Sequence, residues 1–419
     1  MESHLINLCY QHGERKQRSR KRGLVDNPGD CGMSHDIRIS SRDRLRATSP
    51  AVGRSNTGSG RTHMWFAASR VGRSVAAAVI FGAVRIAGAQ GTSTLLIGDV
   101  VSRETGTPLG HSMVTVLGAE RQTFTSDGGV FAFSSLLPGR YRIRAVHIGY
   151  TPVEISVDVP AGAAPPRLRI ELTHISVQLA TVRVVAAGRC TTPGRPNPDV
   201  EPDFAAIVAQ LRLNAEQYQL LSDSFPFRYR VEQTYYSMRG DSSRVNPRIE
   251  TADYRSDAHG WQYKMGDMIE RRNDGYTMMH LPTLRDFAGY EFLNNHCFRY
   301  AGLESTRDGD LIRIDFRADI QIRTPDVDGS VYLDAKTYAI RRAELQLTKI
   351  PAGLPQITAV HVTTIFGEVS AAIDIIREVH GITSLRHRGW GATVATTEDQ
   401  HMYGFEWLGA NPARPTARP

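Results

Sequence analysis

The residues that could do chemistry in this 419-residue chain are few, and their spacing is mostly wrong for it. His296 stands beside Cys297 in NNHCFRY (294–300). A histidine can activate a thiol, but adjacent residues on a strand point to opposite faces and make a poor dyad. Three readings of Cys190 and Cys297 are open: one disulfide, two buried thiols, or a nucleophile. Asp326 and Asp328 in TPDVDG (324–329) sit next to a glycine. That segment lacks the third carboxylate and the closing Glu of a calcium loop, so a turn and a metal site are the two readings, the turn preferred. His111, His147, His280, His361 and His380 have no ligand spacing and read as ordinary surface or core residues. No His is followed three residues later by Glu, and neither a G-x-S-x-G elbow nor a P-loop occurs in the chain after residue 89. The stretch 268–292 (MIERRNDGYTMMHLPTLRDFAGYEF) is rich in Met and aromatics, and reads as packing or as a lid over a ligand. The expectation is a chain with no catalytic residue, no metal and no cofactor.

Charge divides the chain. It carries 50 Lys+Arg against 43 Asp+Glu, but residues 1–89 hold 15 and 6 of these, leaving 35 and 37 for the rest. Phosphate neutralisation needs clustered positive charge, so nucleic-acid binding by the folded part is not expected. Residues 1–63, with ERKQRSRKR (14–22), have too few apolar residues to order themselves. They read as a disordered basic leader, either upstream of a true start at Met64 or an RNA-binding arm. From Met64 the pattern is that of an export signal over 64–89: Arg70 and Arg73, an apolar run Ser74–Val84, and Ala87-Gly88-Ala89 before a cleavage between Ala89 and Gln90. The alternative is a buried apolar helix. The run is shorter than the roughly 20 residues that span a bilayer, so no transmembrane helix is expected after cleavage. Cys9 and Cys31 fall in the leader. The two remaining cysteines in an oxidising compartment suggest a Cys190–Cys297 disulfide. Closing so long a loop is worth about 4–5 kcal/mol in the chain-entropy model.

Those residues are held by two β-rich regions. Residues 92–186 break into short runs at 94–102, 113–118, 121–125, 130–136, 138–150, 153–159, 167–172 and 180–186, separated by turn residues. Tyr141, Ile143 and Ala145 alternate with Arg140, Arg142 and Arg144, one face apolar and one charged. SDGG (126–129) is a hairpin signal. This spacing predicts a β-sandwich. The motifs Gly98, Gly106-x-Pro108-Leu109, Thr125-x-Asp127-x-Gly129-x-Phe131, Leu137-Pro138-Gly139-x-Tyr141 and Gly149-Tyr150 occur in order. The segment resembles a carboxypeptidase-regulatory-like domain, which implies a seven-stranded, transthyretin-like Greek-key sandwich. In that frame Gly and Pro set turns, Asp127 caps its own turn, and Phe131, Phe133, Tyr141 and Tyr150 fill the core or present a sugar-stacking platform.

CTTPGRPNPDVEPD (190–203) lies in a Pro-rich linker over 187–203. A helix follows, with Phe204, Ile207, Val208, Leu211, Ala215, Tyr218 and Leu221 on one stripe. Strands are predicted at 227–238, 261–270, 311–322, 329–349 and 358–369, a second antiparallel β-rich domain over 204–408 with a disordered tail at 409–419. FLNNHCFRY (292–300) and RTPDVDGSVYLDAKTYAIRRAELQLTKIP (323–351) resemble uncharacterised exported bacterial proteins with the same front domain. GSVYLDAKTYAIRRAEL also resembles lipoprotein-carrier-like half-barrels, which hold acyl chains on a curved sheet.

The fold class is therefore mainly β: a seven-stranded Greek-key β-sandwich, then a helix and a second antiparallel β domain. The functional expectation is an exported, non-enzymatic envelope protein of the periplasm, outer membrane or cell surface, binding or scaffolding. An envelope protein, a glycan or a lipophilic ligand is its partner, so carbohydrate binding and lipid carriage are the rival roles. An enzyme of another type would need clustered polar side chains in a pocket. N-terminal sequencing of the exported chain is expected to begin at Gln90; a start far from it removes the export assignment.

Overall fold

The computed structural model describes residues 5–7, 94–119, 121–161, 167–175, 188–238, 244–257, 260–271, 277–370, 373–386 and 393–409. The export segment with Ala89 and Gln90, the strand expected at 180–186 and the tail from 410 lie outside them.

The alternation read at the front of the chain forms seven strands: β2 (Thr94–Ser102), β3 (Met113–Leu117), β4 (Arg121–Phe124), β5 (Val130–Leu136), β6 (Gly139–Val146), β7 (Val153–Val159) and β8 (Leu168–Leu172), after a short β1 (Leu5–Asn7). One sheet has the order β5-β2-β8, with β2 and β8 parallel; the other has the order β4-β3-β6-β7. Between them lies a core of apolar side chains including Leu96, Val114, Phe131, Ile143 and Ile170. Ile143 and Ala145 are fully buried, while Arg140 and Arg142 pair with Asp158 and Glu154 of β7 on the outer face. Gly98 faces Phe131 across β2 and β5. A Cβ at Gly98 would lie 2.5 Å from the Phe131 ring, so only glycine lets that ring cross the strand. Gly129 has φ +74°, and a Cβ there would meet the Val100 carbonyl oxygen at 2.6 Å.

The second region opens with α1 (Pro202–Ser224). Pro202 in its first turn brings a preset φ, and Asp203 complements the helix dipole. Then come β9 (Phe227–Met238), β10 (Arg244–Arg255), β11 (Ile269–Arg271), β12 (Thr277–His280), α2 (Leu284–Ala288), α3 (Tyr290–Asn295), β13 (His296–Thr306), β14 (Gly309–Ala318), β15 (Val327–Asp334), β16 (Ile340–Leu347), β17 (Ile357–Ser370), β18 (Ile373–Arg386) and β19 (Thr393–Trp407). Nine of these strands make one antiparallel sheet in the order β10-β9-β19-β18-β17-β16-β15-β14-β13. β11 and β12 form a small sheet with β1, whose Leu5–Asn7 pairs with Met278–His280 in a leader that the sequence reads as unstructured. The large sheet packs Phe227, Ile312, Ile314, Val331, Leu345 and Val362 against the buried side chains of α1, α2 and α3 in one core. No helix among the described residues is long and apolar enough to cross a membrane.

Three further differences from the sequence expectation bear on the sites described below. Residues 260–268, inside the strand predicted at 261–270, run as an irregular segment, and only Ile269–Arg271 joins a sheet. The run 329–349 is two strands around a turn at Asp334–Ala339, where the Asp334 carboxylate accepts from the Lys336 and Thr337 amides. The Pro-rich stretch does not run free. Cys190 is bonded to Cys297, with Cα atoms 5.5 Å apart and 107 residues between them in sequence. The Gly194 amide donates to the His296 carbonyl at 3.0 Å, and the Ile320 amide to the Cys190 carbonyl at 3.0 Å. The stretch is thereby laid along the ends of β13 and β14.

The helix carries a second stripe besides the apolar one. Gln210, Asn214 and Gln217 are all buried. The Gln210 Oε1 accepts from the Gly149 amide of the sandwich at 2.7 Å. Asn214 donates through Nδ2 to the Tyr338 carbonyl at 3.0 Å and accepts through Oδ1 from the Ile340 amide at 2.9 Å. Gln217 Nε2 donates to the His111 carbonyl of the sandwich at 3.4 Å. A helix clamped between two β layers has no solvent face at these positions, so its polar groups must find backbone partners. Orphaning a buried backbone group costs about 1–3 kcal/mol. Asn214→Ala orphans the Tyr338 carbonyl and the Ile340 amide. Urea denaturation is expected to show a loss of about 2–5 kcal/mol; a loss below about 1 kcal/mol means that those groups find other partners.

Candidate functional site

Among the described residues, besides the half-exposed His380–Glu378–Asp399 group on β18 and β19, three places that gather polar or titratable side chains are candidates. The first is buried under α2 and α3. Tyr263 is held at both ends: its amide donates to Asp286 Oδ1 at 2.6 Å, and its hydroxyl to Asp326 Oδ2 at 2.7 Å. Asp286 also accepts from the Thr283 amide and hydroxyl, a capping box at the start of α2. Burial nevertheless raises the Asp286 pKa above its ordinary value, against those hydrogen bonds. Burial, then the Asp326 charge, raises the Tyr263 pKa as well. His296 lies 3.5 Å from Asp326 Oδ1, with its ring nitrogens 2.8 Å from the Phe292 carbonyl and 3.0 Å from the Val327 carbonyl.

These residues have the types of an acid–base constellation, but His296 and Asp326 are both wholly buried. The His296 ring is stacked on Phe292 at 3.9 Å. The cluster pins the 260–268 segment down. Asp326 is thus an anchor for Tyr263, and Cys297 is consumed by the disulfide. Met268, Met279, Leu284, Phe287 and Phe292 are buried in the same core, so the Met-rich stretch 268–292 is packing where it is described. The gap left at its edge, between Tyr218, Trp261, Leu284, Arg285, Phe366 and Ile375, has a volume of about 30 Å³. That is room for one or two waters, and far below the roughly 300 Å³ of a small-molecule pocket.

The second place is the sandwich motif. Asp127, expected to cap its own turn, does not: Ser126 Oγ accepts from the Val130 amide at 3.2 Å, while the Asp127 carboxylate lies 3.5 Å from His111 Nε2. Gly106 takes φ 69°, and Pro108 bridges to Val101 at the following bend. Pro138-Gly139 leads into β6, and Tyr141 donates to the Leu137 carbonyl at 2.9 Å. Phe131 and Phe133 are buried, so they offer no stacking platform. Gly149, at φ 85°, sits against the Thr337 carbonyl. Tyr150 packs edge-on between His147 and His174, 5.2 Å and 5.1 Å away. Around this seam, burial pulls His111 below its ordinary value, with Asp127 opposing, and pulls His147 down to about 4.

The third place is a cleft between the outer face of the β4-β3-β6-β7 sheet and the C-terminal half of α1, with a volume of about 730 Å³. Thr115, Gln122, Thr123 and Arg144 line the sandwich side; Glu216 and Gln219 line the helix side. Met113 and Val146 also line it and belong to the core around α1. Arg144 reaches across to Glu216 at 3.8 Å, and Glu216 also accepts from Arg212 at 2.8 Å. None of the helix residues here was legible as a site, because Glu216 and Gln219 lie off the apolar stripe and belong to no motif. Among the described residues no group of three or more His, Cys, Asp or Glu is arranged to hold a metal ion.

Residues 96–173 match the carboxypeptidase regulatory-like domain family. No curated protein matches the chain. Among solved structures, a DUF1329 family protein from Desulfovibrio piger covers 49% of this chain and 95% of its own, at 9% identity and a TM-score of 0.28. A LolA superfamily protein from Nitrosomonas europaea covers 49% and 94%, at 9% identity and a TM-score of 0.26.

The seam histidines generate a pH dependence. Folded His147 titrates at about 4, below the unfolded value of about 6.5. The unfolded chain therefore takes up this proton first. The stability tied to neutral His147 is complete above pH 6.5 and is lost as the pH falls towards 4, about 3 kcal/mol in all. Asp374, pushed up to about 6 by burial, works in the opposite sense. The measurement is therefore the stability difference between the wild type and His147→Gln. That difference is expected to shift by about 3 kcal/mol in favour of the wild type from pH 4 to pH 6.5; a flat difference refutes the neutral, partly buried imidazole.

Proposed function

We propose that the protein is a non-enzymatic binding protein exported to the bacterial envelope, and that it binds a hydroxyl-rich ligand, an envelope glycan, in the cleft between the sandwich and α1. The contrast in free volume carries this reading. The cleft offers about 730 Å³, whereas the gap beside Trp261 offers about 30 Å³. A lipid carrier needs apolar space for an acyl chain, and the face of the large sheet where that space would lie is occupied by α1–α3 and their side chains. The cleft side chains Thr115, Gln122, Thr123, Arg144 and Gln219 supply hydroxyl, amide and guanidinium groups suited to sugar hydroxyls.

The non-enzymatic part of the reading is supported by the enclosure of the His296–Asp326 cluster. His296 and Asp326 have no exposed surface, and a general acid or base must come within hydrogen-bond reach of its substrate. The envelope part is supported by the export pattern of residues 64–89 and by the Cys190–Cys297 bond, which persists in oxidising compartments.

The test is native mass spectrometry of the protein purified from the envelope of its host, followed by a glycan array with the wild type and a Gln122→Ala/Gln219→Ala variant. A saccharide adduct, and array hits weakened about tenfold or more in the variant, are the expected result. An acyl-chain adduct that survives the variant overturns the cleft reading in favour of lipid carriage.

A further inference from the structure

Adjoining that cleft at Glu216 and Gln219, which line both, is a second concavity of about 280 Å³ with a different character. Three arginines from three separate elements line it: Arg195 from the Pro-rich stretch, Arg212 from α1 and Arg285 from α2. Glu216 is the one carboxylate among its lining residues. We propose that this concavity binds a phosphoryl group, taking its oxygens on the three guanidiniums.

The guanidinium donors outnumber their acceptors. Arg285 Nη2 bonds Asp223 Oδ1 at 3.1 Å and also the Ser222 hydroxyl, but its Nε is buried with no partner among the described residues. Arg212 Nε donates to Glu216 Oε1 at 2.8 Å. Glu216 is itself shared with Arg144, so its negative charge is divided between two cations. Arg195 forms no ion pair among the described residues. Three like charges around one hollow repel each other, and a doubly charged oxyanion placed between them reverses the sign of that interaction. The planar forked donors of arginine match phosphate oxygens, and arginine stays charged across the whole accessible pH range.

The fold holds Arg195 in place. Its neighbour Gly194 donates to the His296 carbonyl at 3.0 Å, and the Cys190–Cys297 bond ties the same stretch to β13 four residues earlier. The disulfide is thus a positioning element for one wall of the site. The site adjoins the glycan cleft, sharing Glu216 and Gln219 with it, but Arg121 and Arg144 line only the cleft, and Arg195, Arg212 and Arg285 line only the concavity.

The test uses the full chain with its disulfide intact. Calorimetric titration with inorganic pyrophosphate and inorganic phosphate is expected to give saturable binding. Arg195→Ala/Arg212→Ala should weaken it at least tenfold while the far-ultraviolet circular dichroism is unchanged. Arg195 is exposed and Arg212 half-exposed, and neither belongs to the apolar core, so the variant is expected to fold. Thr115→Ala/Gln122→Ala, which changes residues that line only the cleft, serves as a comparison; loss of glycan binding there with phosphate binding retained separates the two sites. Vesicles of phosphatidylcholine with and without one-fifth phosphatidylglycerol distinguish the source of the phosphoryl group. Co-sedimentation that needs the anionic lipid and is lost in the arginine variant identifies a lipid headgroup, and phosphate binding without vesicle binding identifies a soluble ester. No saturable binding of either phosphate probe, or binding that the arginine variant leaves unchanged, overturns the proposal.

Discussion

The two β modules are joined by the buried amides of α1. Gln210 and Gln217 bond backbone groups of the sandwich, and Asn214 bonds the turn between β15 and β16. Apolar packing alone would let a helix slide or rotate between two sheets, because dispersion and burial are non-directional. Hydrogen bonds to fixed backbone groups are directional, and a slip of one residue would leave several of them unpaired in a buried seam. The amides therefore set the register of the helix against both layers at once. Tyr338, held at φ 58° by the turn that Asn214 grips, completes the seam by donating to the Ile175 carbonyl of the sandwich.

This register decides where free space can exist. With α1 fixed, its apolar stripe fills one face of the large sheet together with α2 and α3, and Asp286 and Asp326 hold Tyr263 and its segment over what remains. The interior closes. Free space is left at Glu216 and Gln219 of α1, which line both the cleft and the basic concavity. The disulfide sets the far wall of the concavity through the stretch that carries Arg195.

How much of this was legible depended on whether the buried side of each element is apolar. The sandwich strands were readable because Ile143 and Ala145 alternate with surface arginines, and because glycines mark the bends. The turn at 126–129 was readable, but its capping side chain was not: Ser126 and Asp127 are both competent, and the fold uses Ser126. In the second domain the rule failed where inward positions are polar. Along β19, Glu398 and Gln400 are buried, so no apolar alternation announces a fifteen-residue strand. β10 is an edge strand with Pro247 at a bulge, a pattern that reads as loop. The segment at 261–270 failed in the other direction. Trp261, Tyr263 and Met265 alternate like a strand, but Tyr263 reaches inward to buried carboxylates that lie 23 and 63 residues away in sequence.

The same limit explains why neither surface site was visible in the sequence. A site written on one element shows a motif; these are assembled from elements that only the seam brings together. Arg195, Arg212 and Arg285 are separated by 17 and 73 residues, and each alone is an unremarked surface charge. What distinguishes them is that a disulfide, a helix register and a capped α2 place three guanidiniums around one hollow with a single lining carboxylate, Glu216, which Arg212 shares with Arg144, while Arg285 pairs with Asp223 and Arg195 has no ion pair among the described residues. Excess charge that the fold keeps in place, when a small rearrangement could have dispersed it, is a physical cost. An anion bound between the arginines offsets that cost, and the rigidity of the seam is what makes the offset specific to one position on the surface.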